Sequence, residues 1–293
     1  MLLTQLIKEG VETISSLYPE REAREMVYAF LEYHIGTKRH THIVEPEYEV
    51  ADGDAADAIE AFERLAAGEP LQYVMGHAYF YGRQFRVTPD VLIPRPETEL
   101  LCREVVTFLH SCQSVPNILD LCTGSGCIAW TLALEKPGAK VTAVDISDGA
   151  LSVASTQDFA EEISRTGAVS PVFVKSDVLD LTNAAAPQFE GKYDIIVSNP
   201  PYVMDKEKAL MRNNVLDHEP HLALFVPDDD PLIFYRAVAD WATALLNPGG
   251  YGIVEINEAL GPETAQIYID AGFRSVQVIR DLSDRDRFVS FCR

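Results

Sequence analysis

The sequence predicts an α/β fold, a doubly wound, mostly parallel sheet with an antiparallel hairpin at its C-terminal edge, preceded by a small all-α domain. Three observations predict it. Apolar residues recur at helical spacing through the first 75 residues; strand-like runs alternate with helical stretches beyond residue 115; and only Asp281–Asp286 separates the last two strand-like runs. Strand–helix alternation requires crossovers, which leave the strands parallel and put helices on both faces. A short link instead allows only an antiparallel pair. The 293 residues are 47% hydrophobic and 24% charged, which excludes a mainly disordered chain and suffices for a sizeable core.

Leu3, Leu6, Ile7, Val11, Ile14 and Leu17 make the first helical stripe, which Tyr18-Pro19-Glu20 breaks and restarts. Ala23, Met26, Val27, Phe30 and Leu31 make the second. Polar residues 35–54 lead to a third helix, capped by Asp54, carrying Ile59, Phe62 and Leu65 and closed by Gly68. Residues 1–76 are thus expected to form a helical domain, either docking a macromolecular partner or covering one edge of the α/β domain. Residues 77–96 read as a hairpin and linker, with Tyr79, Tyr81, Phe85 and Val87 flanking Gly82.

A helix is expected from about Glu97, opening an α/β domain over 97–293. Its strands are placed at Asn117–Asp120, Lys140–Asp145, Pro171–Lys175, Tyr193–Ser198, Gly250–Ile256, Ser275–Arg280 and Arg287–Cys292. Helices near 127–135, 148–163, 231–246 and 262–271 separate most of them.

The 24 basic and 45 acidic side chains leave a formal net charge of −21. Sequence-independent nucleic-acid affinity rests on Lys and Arg phosphate contacts, so attraction of the whole molecule to DNA or RNA is not expected. No apolar run reaches the length of a membrane span, and the first residues lack the pattern of a signal peptide. The five cysteines, at 102, 112, 122, 127 and 292, form no CxxC pair. A disulfide or zinc framework is therefore not expected, and a cytoplasmic location fits. Cys102 reads as a helix cysteine and Cys112 as a loop cysteine. His40-x-His42 has no companion ligands, so no metal site is expected.

Asn117–Ala129 reads as a strand, a tight glycine loop and a helix start. Gly124 and Gly126 let backbone approach a ligand where a Cβ would clash, and the helix N-terminus offers free N–H groups. Asp145, nineteen residues past Gly126, ends the second strand, where a carboxylate can accept ribose hydroxyls. The relaxed dinucleotide fingerprint Gly124-x-Gly126-x-x-Ala129 admits NAD. S-adenosylmethionine is favoured by Asp120, which is placed to hold a cationic amino group and would be unhelpful beside a pyrophosphate. After the third strand, Asp177 can accept from an adenine amino group, or bond nearby backbone as a turn residue, while Val178 can pack on the ring.

Asn199-Pro200-Pro201-Tyr202 comes directly after the strand Tyr193–Ser198. Two prolines fix the backbone and remove two donors. The Asn199 side-chain oxygen and the Pro200 carbonyl remain as acceptors beside the Tyr202 ring, an array suited to a planar NH2.

With Asp120 and Gly124-Ser125-Gly126, this segment resembles the class I S-adenosylmethionine-dependent methyltransferases acting on planar amino or amide nitrogens. Further stretches narrow the resemblance: Gly68–Gly76, Leu92–Glu99, Glu219–Phe225 and Phe234-Tyr235-Arg236 are similar to the PrmC/HemK family. That family methylates the N5 nitrogen of the glutamine in the Gly-Gly-Gln motif of peptide-chain release factors. The resemblance implies a class I methyltransferase fold and S-adenosylmethionine as cofactor, held by Asp120, Cys122, Thr123, Gly124, Ser125, Gly126, Asp145, Ile146, Asp177, Val178 and Asn199. It implies that Asn199, Pro200, Pro201 and Tyr202 hold the glutamine, with Asn199, Pro200 and Tyr202 catalytic and Arg95 bordering the same cleft. It also implies release factors as partners; charge and the lack of an apolar run of membrane-spanning length lead one to expect no direct nucleic-acid or membrane contact, and a monomer is the default.

Three positions depart from the commonest family pattern: Cys122, Asn257 and Asp284 stand where glycine is frequent. Cys122 is expected to tolerate its small side chain rather than act as a reactive thiol. Competing readings are a DNA adenine-N6 methyltransferase, which needs a basic groove for the strand, a dehydrogenase, and a nucleotide-binding scaffold without catalysis.

Overall fold

The computed structural model describes residues 1–111, 114–189 and 191–293, so Cys112 lies outside the described residues. The chain divides into two compact units, Met1–His77 with Arg212–His218, and Ala78–Met211 with Glu219–Arg293.

The first unit is helical: α1 (Leu3–Ile14), α2 (Glu20–Ile35), α3 (Thr41–Val44), α4 (Asp52–Ala66) and α5 (Leu71–Met75). Leu6, Ile7 and Ile14 of α1, Val27, Phe30 and Leu31 of α2, and Ala58, Phe62 and Leu65 of α4 form its core. Burying a side chain of this size contributes about 1.5–3 kcal/mol. Two expectations need correction. Leu17 lies past the end of α1 and is exposed, because the helix stops before the stripe can bring it round. Helix α4 opens at Asp52 with Ala51 in the cap position, so Asp54 is not its cap. Both aspartates stand in the first turn instead, where a carboxylate favours the positive end of the helix dipole.

The second unit's elements, with one helix given over to the first, run in this order: β1 (His77–Phe80), β2 (Arg83–Arg86), α6 (Thr98–Ser111), β3 (Asn117–Leu121), α7 (Cys127–Glu135), β4 (Lys140–Asp145), α8 (Asp148–Ser155), α9 (Ala160–Thr166), β5 (Val172–Lys175), β6 (Tyr193–Ser198), β7 (Val203–Met204), α10 (Asn213–His218), β8 (Phe225–Val226), α11 (Ile233–Leu245), β9 (Leu246–Glu255), α12 (Gly261–Asp270), β10 (Arg274–Arg280) and β11 (Asp286–Cys292). Strands β1 and β2 form the expected hairpin, with Phe80 and Phe85 inward and Tyr79 exposed.

The main sheet has seven strands in the order β10-β11-β9-β6-β3-β4-β5. Strands β9, β6, β3, β4 and β5 run parallel; β11 is antiparallel to both β9 and β10, closing the C-terminal edge. This is the mostly parallel, doubly wound α/β architecture of the class I methyltransferases. Alternate strand residues point to opposite faces. Ile118, Val141, Ile195 and Ile253 join α6 and α7 in one apolar cluster, while Leu119, Val144, Ile196 and Val254 join α11 and α12 in the other.

The stretch 148–163, expected as one helix, is interrupted between α8 and α9. Gln157 lies in the interruption, where its side chain accepts from the Arg86 amide at 2.8 Å and donates to the carbonyls of Arg86 and Ser125 at 2.9 and 3.0 Å. Three long-range bonds to one buried amide override the local helical pattern. Among the described residues no helix is long and apolar enough to cross a membrane.

Candidate active site

Strand order reverses at β3, whose two neighbours are β4 and β6. In open α/β sheets such a switch point leaves a crevice at the carboxyl ends of the strands. Asp120 and Cys122 stand at the end of β3, Asp145 at the end of β4, Ser176 just past β5, Asn199 just past β6 and Glu255 at the end of β9. Ser198 pairs with Leu121 on one side and with Val254 on the other, so Asn199 and Glu255 leave neighbouring strands side by side.

The loop after β3 is held from below. The Thr123 amide donates to the Val144 carbonyl at 2.9 Å, and the Gly124 amide donates to Asp145 Oδ2 at 2.8 Å. Asp145 Oδ1 accepts from the Ser147 amide at 3.0 Å. Each carboxylate oxygen keeps lone-pair capacity for a ligand hydroxyl. Gly124 has φ +53 with open space where a Cβ would stand, and it lines the cleft.

Gly126 differs from the expectation. Its φ is +78, and a Cβ would meet Ala154 at 3.0 Å, Trp130 at 3.2 Å and Phe173 at 3.3 Å. Its lack of a side chain thus serves packing inside the protein rather than approach to a ligand, and it is not among the residues lining the cleft. Cys122 adopts φ +63, a left-handed conformation that favours glycine. Burial pushes its thiol well above the ordinary range, which keeps it protonated and a poor nucleophile.

Asp120 is fully buried. Its Oδ2 accepts from the Thr123 hydroxyl at 2.6 Å, whereas Oδ1 has no hydrogen-bond partner among the described residues. Burial, with the nearby charge of Asp145, pushes its carboxyl up to about 7. A buried carboxylate with an unmatched oxygen suits a cation, and an ammonium group would stabilise its ionised form. The hydroxyl of Ser176, a residue that lines the cleft, is likewise buried without a hydrogen-bond partner among the described residues. The residues present therefore fit an amino-acid-bearing nucleoside such as S-adenosylmethionine. Asp177 Oδ1 accepts from the Leu179 amide at 2.9 Å, the turn role that was its alternative, while Asp177 and Val178 both line the cleft.

Asn199 Nδ2 donates to Thr98 Oγ1 at 3.2 Å, and Thr98 Oγ1 donates to Glu255 Oε2 at 2.7 Å. The Tyr202 hydroxyl donates to Glu255 Oε1 at 3.0 Å. Glu255 is almost fully buried, and desolvation raises its pKa against the lowering effect of the Thr98 and Tyr202 hydrogen bonds. Asn257 supports the same segment: its Nδ2 donates to the Tyr202 carbonyl at 3.1 Å and to Glu207 Oε2 at 2.9 Å, and its own amide donates to the Tyr235 hydroxyl at 2.9 Å.

Arg95 lines the cleft and is anchored by an ion pair with Glu219 at 2.6 Å. Glu219 is buried and also accepts from the Ile93 amide at 3.1 Å, so one carboxylate fixes the segment on both sides of Pro94.

One cleft thus gathers Arg95, Cys122, Thr123, Gly124, Ser125, Asp145, Ile146, Asp177, Val178, Asn199 and Pro201. Asp120, Gly126, Pro200 and Tyr202 lie outside that lining. Asp120 and Pro200 are buried, and Tyr202 turns its hydroxyl to Glu255. The sequence reading held Thr98 and Glu219 only as parts of family-like stretches, Thr98 within the segment expected to border the cleft, and gave no role to Glu255. A lone acid ending an otherwise apolar strand was the available signal for Glu255.

The PrmC N-terminal domain matches residues 5–76, and the methyltransferase small domain matches residues 98–222. A release factor glutamine methyltransferase of Flavobacterium psychrophilum is 35% identical over 291 residues, covering 99% of this chain and 98% of that protein. One from Bacteroides thetaiotaomicron is 46% identical over 228 residues, covering 78% and 77%. Among solved structures, a release-factor-specific protein-(glutamine-N5) methyltransferase from Alicyclobacillus acidocaldarius is 30% identical, with a TM-score of 0.42 and coverage of 71% of this chain and 99% of that one. The chain belongs to the release factor glutamine methyltransferase family.

Proposed function

We propose that the chain transfers the methyl group of S-adenosylmethionine to the N5 amide nitrogen of the glutamine in the Gly-Gly-Gln motif of peptide-chain release factors. The observation that carries this reading is Asn199, braced through Thr98 onto buried Glu255, in the same cleft as the Cys122–Ser125 loop and Asp145. Asp120 would hold the cofactor's ammonium group, Asp145 its ribose, and Ile146, Asp177 and Val178 its adenine. When bound, S-adenosylmethionine supplies a methyl group on a sulfonium, an electrophile already activated for attack.

An amide nitrogen is a poor nucleophile because its lone pair is delocalised into the carbonyl. The chain's task is therefore alignment in a site sheltered from water. Asn199 Oδ1 and the Pro200 carbonyl accept the two N–H groups of the amide, fixing the nitrogen and favouring positive charge developing on it. The prolines keep this array rigid, since neither can donate and both restrict the backbone. Arg95 borders the bound glutamine segment, and the helical unit docks the release factor.

With a net charge of −21, the chain is read as recognising protein rather than a nucleic-acid backbone. A cytoplasmic monomer completes the reading. The test is to incubate the purified chain with S-adenosylmethionine and a release factor, then map the product by tandem mass spectrometry. One methyl on the Gly-Gly-Gln glutamine, absent with Asn199→Ala, is expected. Label entering duplex DNA instead would overturn the reading.

A further inference from the structure

We infer that Thr98 and Glu255 set which way the Asn199 carboxamide faces, so that its oxygen rather than its nitrogen is offered to the substrate. The inference rests on the reading of Asn199 as the acceptor of a glutamine amide.

The argument is one of proton accounting. Glu255 as a carboxylate only accepts, and a threonine hydroxyl has a single proton to give. That proton goes to Glu255 Oε2 at 2.7 Å. What Thr98 then presents to Asn199, at 3.2 Å, is a lone pair, which pairs with an N–H and not with a carbonyl oxygen. A reversed carboxamide would set Oδ1 against that lone pair and lose the bond.

The rest of the surroundings supports this polarity. Tyr202 occupies Glu255 Oε1, so each carboxylate oxygen receives a proton from a different element. Burial raises the Glu255 carboxyl, with Glu97 beside the start of α6 adding to it, while the hydrogen bonds from Thr98 and Tyr202 and the charge of Arg287 on β11 favour the carboxylate. Thr98 and Glu255 are both buried, and in such surroundings the hydrogen bonds that link them to Asn199 are stronger than in water.

The consequence is chemical selectivity. With Nδ2 engaged by Thr98, Oδ1 is the group left for the substrate; it matches the NH2 of glutamine and repels the carboxylate of glutamate, which has only acceptors. A carboxamide free to turn would offer Nδ2 and accommodate glutamate. Thr98 and Glu255 are positioning residues that act through Asn199.

The experiment measures affinity for two forms of a release factor, one with Gly-Gly-Gln and one with Gly-Gly-Glu, by calorimetry in the presence of S-adenosylhomocysteine. The wild-type chain favours the glutamine form. In Thr98→Val that preference falls by about tenfold or more, as expected when a buried pairing becomes a mismatch. Thr98→Ser, which keeps the hydroxyl, restores it. Glu255→Gln falls as well, because a side-chain amide can donate to Thr98 and release its proton toward Asn199. A Thr98→Val chain that binds both forms more weakly with the preference intact would overturn the inference, since that is what simple loss of packing produces. A wild-type chain that methylates no release factor would instead fail the underlying reading, and the inference with it.

Discussion

The Tyr202 hydroxyl donates to Glu255 Oε1 across 3.0 Å and ties the end of the Asn199–Tyr202 segment to the carboxyl end of β9. Substituting Tyr202→Phe leaves a buried carboxylate oxygen without that partner. A loss of stability of about 1–3 kcal/mol is expected, measured by urea unfolding. A variant as stable as the wild type would mean that this hydrogen bond is not needed to hold the segment.

Asn199→Ala removes one acceptor from the array while leaving the apolar sheet core untouched. Turnover on the release factor should fall by about a hundredfold or more, by analogy with the removal of one preorganised polar group from a transition-state site. Circular dichroism should be unchanged. Near-normal turnover would remove Asn199 from the chemistry.

Asp120 carries a carboxyl pushed up to about 7 by burial and by Asp145. A carboxyl raised in the folded state contributes stability at low pH, below its ordinary value, and that contribution is lost as pH rises through about 7. Asp120→Asn should therefore raise the melting temperature of the ligand-free chain more at pH 8 than at pH 5. The same substitution should weaken S-adenosylmethionine binding, which in the wild type should release a proton near neutral pH. Calorimetry in buffers of different ionisation heat checks the proton; no release would separate Asp120 from the cofactor's ammonium group.

Cys122 holds φ +63 in the glycine loop, with its thiol kept protonated by burial. Iodoacetamide at pH 7.5 should label it much more slowly than free cysteine, read by peptide mass spectrometry. Labelling as fast as free cysteine would show that the loop exposes the thiol as a reactive nucleophile.

Asn257, where the family resemblance leads one to expect glycine, donates three hydrogen bonds, two from its side chain and one from its backbone, and its Oδ1 accepts from the Ala259 amide at 3.0 Å. Asn257→Gly keeps the backbone bond to Tyr235 but removes those to the Tyr202 carbonyl and to Glu207 and the one from the Ala259 amide. A destabilisation of about 1–3 kcal/mol is expected, with a larger effect on turnover than on cofactor affinity. Equal losses in both would place Asn257 in general packing rather than in support of the Tyr202 segment.

The sheet was legible in the sequence because burial on two faces leaves short apolar runs, and crossovers leave helices between them. The strand-end positions of Asp120, Asp145 and Asn199 came from those runs, since side chains that end buried strands face the crevice. Asp284 and Cys122, noted as departures from glycine, both prove to stand in the left-handed region. The break between α8 and α9 was not legible. It depends on Gln157 bonding to residues far away in sequence, and periodicity over a short window carries no information about such partners.

By itself the sequence determined the α/β class, the order of the strands along the chain and the residue types at their carboxyl ends, because local periodicity and turn chemistry act over a few residues. The tertiary structure decided what those residues face. It turned Gly126 toward Trp130 and Ala154, gave Arg95 to Glu219, and brought Thr98 and Glu255, 157 positions apart, within 2.7 Å of each other. Hydrogen-bond direction depends on which donor meets which acceptor in space, and that meeting is made by strand pairing and packing across the whole sheet.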